Sequence, residues 1–122
     1  MIEISYDNVM NGLNKGLNMT CVCPTQCEAD KLYRNARALW YVKGMALCKG
    51  VERSIEYGPE GFPRLSIRFK CLKNMKEDSW RGFQGVFLIH PEFQPDNLSS
   101  QENRMISDLH EHNIRYLEKW RV

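Results

Sequence analysis

Residues 18–28 read Asn18-Met19-Thr20-Cys21-Val22-Cys23-Pro24-Thr25-Gln26-Cys27-Glu28, and their order decides the fold. The first six are uncharged, sulfur-rich and partly β-branched, the composition of a buried strand. Pro24 removes a backbone donor and stops that strand. Thr25, followed three residues later by Glu28, has capping-box spacing: the hydroxyl accepts from the Glu28 N–H and the carboxylate reaches back to the Thr25 N–H. A helix is expected from there to Gly44. Ala29, Leu32, Tyr33, Ala36, Leu39 and Trp40 form its apolar face, and Lys31, Arg34, Asn35 and Arg37 its wet one.

Upstream, residues 5–17 predict a helix with Val9, Leu13 and Leu17 in one stripe, Asp7 as its cap and Gly16 at its end. Downstream, residues 51–57 alternate weakly, with Val51 and Ile55 on one side. Gly58-Pro59-Glu60-Gly61 is a turn signal. Residues 64–71 then alternate cleanly, Leu65, Ile67, Phe69 and Cys71 one way and Arg64, Ser66, Arg68 and Lys70 the other. Two such runs predict an antiparallel hairpin with a wet, basic face. Residues 72–84 read as a polar connection with a helical turn. Residues 85–90, Gly-Val-Phe-Leu-Ile-His, form a second strand covered on both faces, ended by Pro91, and Pro95-Asp96-Asn97 is loop.

Ser99 and Glu102 repeat the capping box, opening a closing helix to residue 119 with Met105, Ile106, Leu109, Ile114 and Leu117 inward. Two buried strands separated by a helix imply a parallel pair with a right-handed crossover. The expectation is a single α/β domain over residues 1–122, three-layer-like, with a mixed sheet of about four strands: a parallel central pair, an antiparallel hairpin and three helices.

Composition bounds the function. The 122 residues fall within the roughly 100–150 typical of one domain. Apolar residues at 43% and charged ones at 26% exclude a disordered chain. A formal charge of +2 leaves little long-range field to gather nucleic acid. The cations nevertheless cluster at Arg64, Arg68, Lys70, Lys73 and Lys76, with Arg81 beyond, and Glu92, Asp96 and Glu102 gather the opposite sign. No stretch approaches the roughly 20 apolar residues of a membrane helix. The start of the chain carries Glu3 and Asp7 in place of a signal core. The expected compartment is the reducing cytoplasm. The cysteines number five, an odd count that argues against a closed disulfide framework, and most then read as free thiols serving as small core residues.

Several motifs invite chemistry. Cys21, Cys23 and Cys27 with His110 and His112 could be read as a metal site, but zinc wants tighter paired spacing. The two histidines, at i and i+2 on a helix, diverge onto what reads as a solvated face. The default is core packing, with no metal and no cofactor. A Cys–His nucleophile pair lacks any flanking motif. Glu92 lacks a visible partner for base catalysis and reads as a strand-end residue in water. The basic hairpin face could bind phosphates, with Trp80 and Phe83 stacking on bases, against the alternative of a solvated strand face. Trp40, Tyr41 and Trp120 read as core or as a contact between copies in a homo-oligomer.

Three of these stretches together resemble the ATPase domain of large terminase subunits and related helicase-like P-loop proteins of phages. Val22-Cys23-Pro24-Thr25-Gln26 is similar to that family's second-strand motif, which ends in Pro-Thr. Arg64-Leu65-Ser66-Ile67-Arg68-Phe69 resembles the strand before its Walker B region. Trp80-Arg81-Gly82-Phe83-Gln84-Gly85-Val86-Phe87-Leu88-Ile89 resembles the Arg-Gly-aromatic run into the Walker B strand. The match spans residues 18–93.

The departures are specific. The family's Gly-rich phosphate loop, with its Lys and Ser or Thr, has no counterpart here. Gly12, Lys15 and Gly16 stand in the wrong order. The family's Asp-Glu pair is replaced by His90-Pro91-Glu92, of which Glu92 alone is acidic. The resemblance therefore implies a fold and a phage or mobile-element origin, but no ATP hydrolysis, since the groups that stabilise transferring phosphate are missing. The leading expectation is a non-catalytic interaction protein with a protein partner, such as a nucleic-acid motor or a host enzyme. The alternatives are a nucleic-acid-binding module using the basic hairpin face, and an enzyme of unrecognised type.

Overall fold

The computed structural model describes residues 2–41, 46–49, 53–57, 65–75, 83–93 and 95–121. In chain order it has helix α1 (Tyr6–Asn14), strand β1 (Asn18–Cys23), α2 (Gln26–Tyr41), β2 (Ala46–Lys49), β3 (Ser54–Tyr57), β4 (Leu65–Cys71), β5 (Gly85–Ile89), α3 (Ser100–Ile114) and α4 (Leu117–Arg121). Among the described residues the strands form one sheet, ordered β2-β3-β4-β1-β5. β1 is central and parallel to both neighbours, with Cys23 level with Cys71 and Val22 with Ile89. β3 runs antiparallel to β4, and β2 antiparallel to β3. The parallel pair and the β3–β4 hairpin are those expected, and β2 is an additional edge strand. The expected Gly58–Gly61 turn and Val51 lie outside the described residues.

The side-chain alternation of the strands makes two cores. On one face Met19, Cys21, Cys23, Ile67, Phe69 and Leu88 pack under Ala29 and Tyr33 of α2, with Val9 and Leu13 of α1 and Leu117 and Trp120 of α4. On the other, Val22, Phe87 and Ile89 pack against Ile106 and Leu109 of α3, with Leu72 and Met75. The molecule is thus three layers, a mixed sheet between helices. β4 shows why it alternates in sequence: Ile67, Phe69 and Cys71 are buried, whereas Arg68 and Lys70 are exposed.

Helix ends follow local chemistry. Ser5, not Asp7, caps α1, accepting from the Asn8 N–H at 3.1 Å. Asp7 lies inside the first turn, where it complements the helix dipole. At the other end Gly16 has φ 68°, and Gly16 N–H donates to the Leu13 carbonyl while Leu17 N–H donates to Gly12. That pair of bonds is a Schellman cap, which needs a residue tolerant of the left-handed region. Ser99 and Glu102 form the full capping box, at 3.1 and 3.3 Å.

The closing helix differs from its expected form. It breaks after Ile114, and α4 begins at Leu117. Ile114 is exposed, not inward. The inward positions are Ile106, Leu109 and Asn113, one helical stripe, and Ile114 is rotated about 100° from it. Asn113 holds that place because its amide brackets Phe87, donating to its carbonyl and accepting from its N–H, both at 2.7 Å. The 72–84 connection is also less polar than expected: a 3₁₀ turn at Leu72–Asn74 buries Leu72, and Met75 is buried too.

Asn113 is one element of a closed sheet edge. His112 Nε2 meets the Gly85 carbonyl at 3.0 Å, Ile89 N–H donates to Ile2, and Ile4 N–H donates to Ile89. The Gly85 carbonyl and both backbone groups of Phe87 and Ile89 are thereby used, which blocks most of an edge that could pair with another chain. His112 is consequently packed, not solvated as expected: its ring stacks between Phe83 and Tyr116 and meets Phe87 edge-on.

Candidate functional site

The carboxyl ends of β1, β4 and β5 lie level, with α2 on one face of the sheet and α3 on the other. In open α/β sheets this edge forms the ligand crevice. Three segments supply its polar groups: Thr25–Glu28 after β1, the turn after β4, and His90–Glu92 after β5.

Thr25 caps α2 as its spacing predicts, Oγ1 accepting from the Glu28 N–H at 3.2 Å. The expected return bond is not made. The Glu28 carboxylate turns instead to His90, with Oε2 3.7 Å from Nε2. His90 is held from behind: its N–H donates to the Val22 carbonyl at 3.0 Å, and its Nδ1 accepts from the Glu92 N–H at 3.1 Å. A ring nitrogen that accepts carries no proton, so this hydrogen-bond network assigns the proton to Nε2, facing Glu28. With one nitrogen committed to backbone and the other protonated, the imidazole offers no lone pair for proton abstraction. The Glu92 side chain stands exposed, as the sequence suggested.

A second network joins the other side of the edge. Asp30 on α2 accepts from Arg53 Nε at 2.6 Å and from Gln26 Nε2 at 3.0 Å, and Gln26 Oε1 accepts from Asn74 Nδ2 at 3.1 Å. The hydrogen bonds from Arg53 and then Gln26 hold the Asp30 carboxyl below its ordinary range. Arg53 has φ 50°, a left-handed conformation costly for a residue with a side chain. Its carbonyl accepts from the Phe69 N–H at 3.0 Å, and its guanidinium lies 5.9 Å from the Tyr33 ring centroid. None of these four residues was singled out in sequence as a site. The contacts join segments 23 and 48 residues apart, and no local motif signals them.

Cys21, Cys23 and Cys71 behave as core. Burial, reinforced by Glu28 and Cys71 nearby, pushes the Cys23 thiol up to about 12, and burial pushes Cys21 up as well. Cys71 is buried with its thiol directed at the Pro24 carbonyl, and Cys27 is exposed. A buried thiol at neutral pH is a poor nucleophile. Cys21 and Cys23 face α2, whereas His112 packs on the opposite side of the sheet. Among the described residues no three His, Cys, Asp or Glu side chains gather as a metal site requires.

Of the expected basic face, Arg68, Lys70 and Lys73 are exposed. Arg64, Lys76, Arg81 and Trp80 lie outside the described residues. Phe83 is not offered to a base: it packs on Phe87, with ring centroids 5.0 Å apart. No helix among the described residues is long and apolar enough to cross a membrane. Comparison of the chain with known protein families, with curated proteins and with solved structures finds no match.

Proposed function

We infer that the chain is a non-catalytic interaction protein: a domain resembling a P-loop ATPase core without its phosphate loop, which binds a protein partner such as a nucleic-acid motor or a host enzyme. A phage or mobile-element origin and a host-cytoplasmic location belong to the same reading. The observation that carries it is the state of the sheet edge. Where the resembling family places an Asp-Glu pair, His90 is held between Glu28 and the Glu92 backbone. The adjacency of β1 and β5, which carry two of the three similar stretches, also supports it. An imidazole whose lone pair is taken by a backbone N–H presents a fixed shape to a partner and no poised base.

The test is affinity capture with the tagged full chain from phage-infected and uninfected bacterial lysates, beside Glu92→Arg and Lys73→Glu variants. The expected result is one stoichiometric partner that both variants release. Failure to retain any partner, or equal retention by both variants, would refute this reading.

A second reading is favoured by the exposure of Arg68 and Lys70 two residues apart on one strand face, followed by Lys73. Such a row could follow a nucleic-acid backbone. It predicts affinity for a single-stranded oligonucleotide that falls steeply with salt and is lost in Arg68→Glu/Lys70→Glu. Absence of binding at low salt would end it.

A further inference from the structure

Cys23 and Cys71 are the last residues of β1 and β4, and they stand level across the parallel pair. We propose that these two thiols form an oxidant-responsive pair, which a peroxide closes to a disulfide between the ends of the two strands. The proposal does not rest on the protein-binding reading.

The geometry allows the bond. Neighbouring strands lie about 4.7–4.9 Å apart, and disulfides span Cα separations of about 4.4–6.8 Å. Cys23 packs under α2 with Phe69, and Phe69 is two residues before Cys71, so both thiols stand on that face of the sheet. The pairing stops at these two residues, with Pro24 after one and the Leu72–Asn74 turn after the other. No further ladder rung locks the backbone there, so a small strand-end adjustment brings the sulfurs together. Cys71 is also one of the groups that push the Cys23 thiol up, after burial and Glu28, which puts the two sulfurs within electrostatic reach.

An oxidant has a way in. Both residues are buried, yet Cys71 borders an open cavity of about 180 Å³ at the same sheet edge, beside Phe69, Gln26 and Asn74. A water molecule needs only about 10–15 Å³ of such space, so hydrogen peroxide fits. The Cys71 thiol directs its hydrogen at the Pro24 carbonyl, with the sulfur 3.7 Å away, which leaves the sulfur lone pairs for the oxidant.

The chemistry balances. Peroxide transfers one oxygen to Cys71, whose sulfur is oxidised to a sulfenic acid while the peroxide is reduced to water. Cys23 Sγ then attacks Cys71 Sγ. The Sγ–Sγ bond forms, the S–O bond breaks, and hydroxide leaves as water with the Cys23 proton. Burial keeps Cys23 protonated at neutral pH, so closure is slow there and quickens as pH rises. The bridge closes the loop that carries α2, β2 and β3, and it joins the two turns that the Asn74–Gln26 hydrogen bond already links. In a reducing compartment such a bond is transient and reports oxidant.

The test uses the full chain with Cys27→Ser, which removes the exposed thiol as a competitor. The folded protein is treated with hydrogen peroxide at mildly alkaline pH, denatured in excess alkylating agent and mapped by mass spectrometry without reduction. The expected product is a peptide pair joined through Cys23 and Cys71, lighter by two hydrogen atoms and separated by dithiothreitol. The oxidised chain should unfold at a urea midpoint about 1 M above the reduced one, the scale of a disulfide that closes a long loop. Adding Cys71→Ser, which keeps a donor for the Pro24 carbonyl, should abolish both the linkage and the shift. The linkage in the chain with both thiols decides the matter whether or not that variant folds. Persistence of both thiols, sulfinic acid on Cys71 without linkage, linkage to another cysteine instead, or a linked chain that unfolds at lower urea than the reduced one would overturn the proposal.

Discussion

Asn113 is 1% exposed yet carries a fully polar amide, and both of its ends are used on Phe87. Removing it strands a buried N–H and a buried carbonyl together. Each such group costs about 1–3 kcal/mol, so Asn113→Ala should destabilise the protein by about 2–6 kcal/mol in urea unfolding. Asn113→Asp should do no better, since it sets a carboxylate oxygen against the Phe87 carbonyl. Asp30 gives a pH-dependent counterpart. Its carboxyl is held below the ordinary value by Arg53 and Gln26. A depressed folded pKa stabilises the native state above the unfolded carboxylate pKa of about 4, and that contribution is lost as pH falls through the folded value. The gap in unfolding midpoint between wild type and Asp30→Asn should therefore be open at pH 7 and close towards pH 2. A gap constant across that range would contradict the assignment. For the thiols, iodoacetamide at neutral pH should modify Cys27 and spare Cys21, Cys23 and Cys71 until the chain is denatured, as read by peptide mass mapping.

At the scale of elements, the parallel strands meet through Gly85. A Cβ there would run into the backbone carbonyl of Asn18, which cannot swing aside as a side chain would. Gly85→Ala should cost about 1–3 kcal/mol, the range for forcing atoms into a packed site, measured as a shift in urea midpoint. Gly16→Ala should cost about 1 kcal/mol for a different reason, the left-handed backbone of the α1 cap. The elements were readable in sequence where burial leaves a clear pattern. β1 and β5 show as uninterrupted apolar runs because helices cover both their faces, and β4 alternates because solvent meets one face. β2, four residues long and at an edge, carries no such period. The break between α3 and α4 was hidden because Ile114 and Leu117 continue an apolar rhythm that the Asn113–Phe87 bonds override.

At the scale of the molecule, the site was half legible. His90 and Glu92 could be found because they follow an apolar strand into a proline, and Thr25 because its cap is local. Arg53, Asp30, Gln26 and Asn74 could not, since the sheet order alone brings the start of β3, the first turn of α2 and the end of β4 together. The fold thus sets two unlike regions on one edge: an imidazole facing a carboxylate at 3.7 Å, and a hydrogen-bonded network of Arg53, Asp30, Gln26 and Asn74. The proposal of a binding protein takes as its premise that the His90 lone pair is already committed to the Glu92 N–H. The most direct measurement is phosphate release from Mg·ATP by the purified full chain, beside Glu92→Gln. The account predicts release no faster than buffer for both proteins. Saturable turnover by the wild type, abolished in Glu92→Gln, would contradict it.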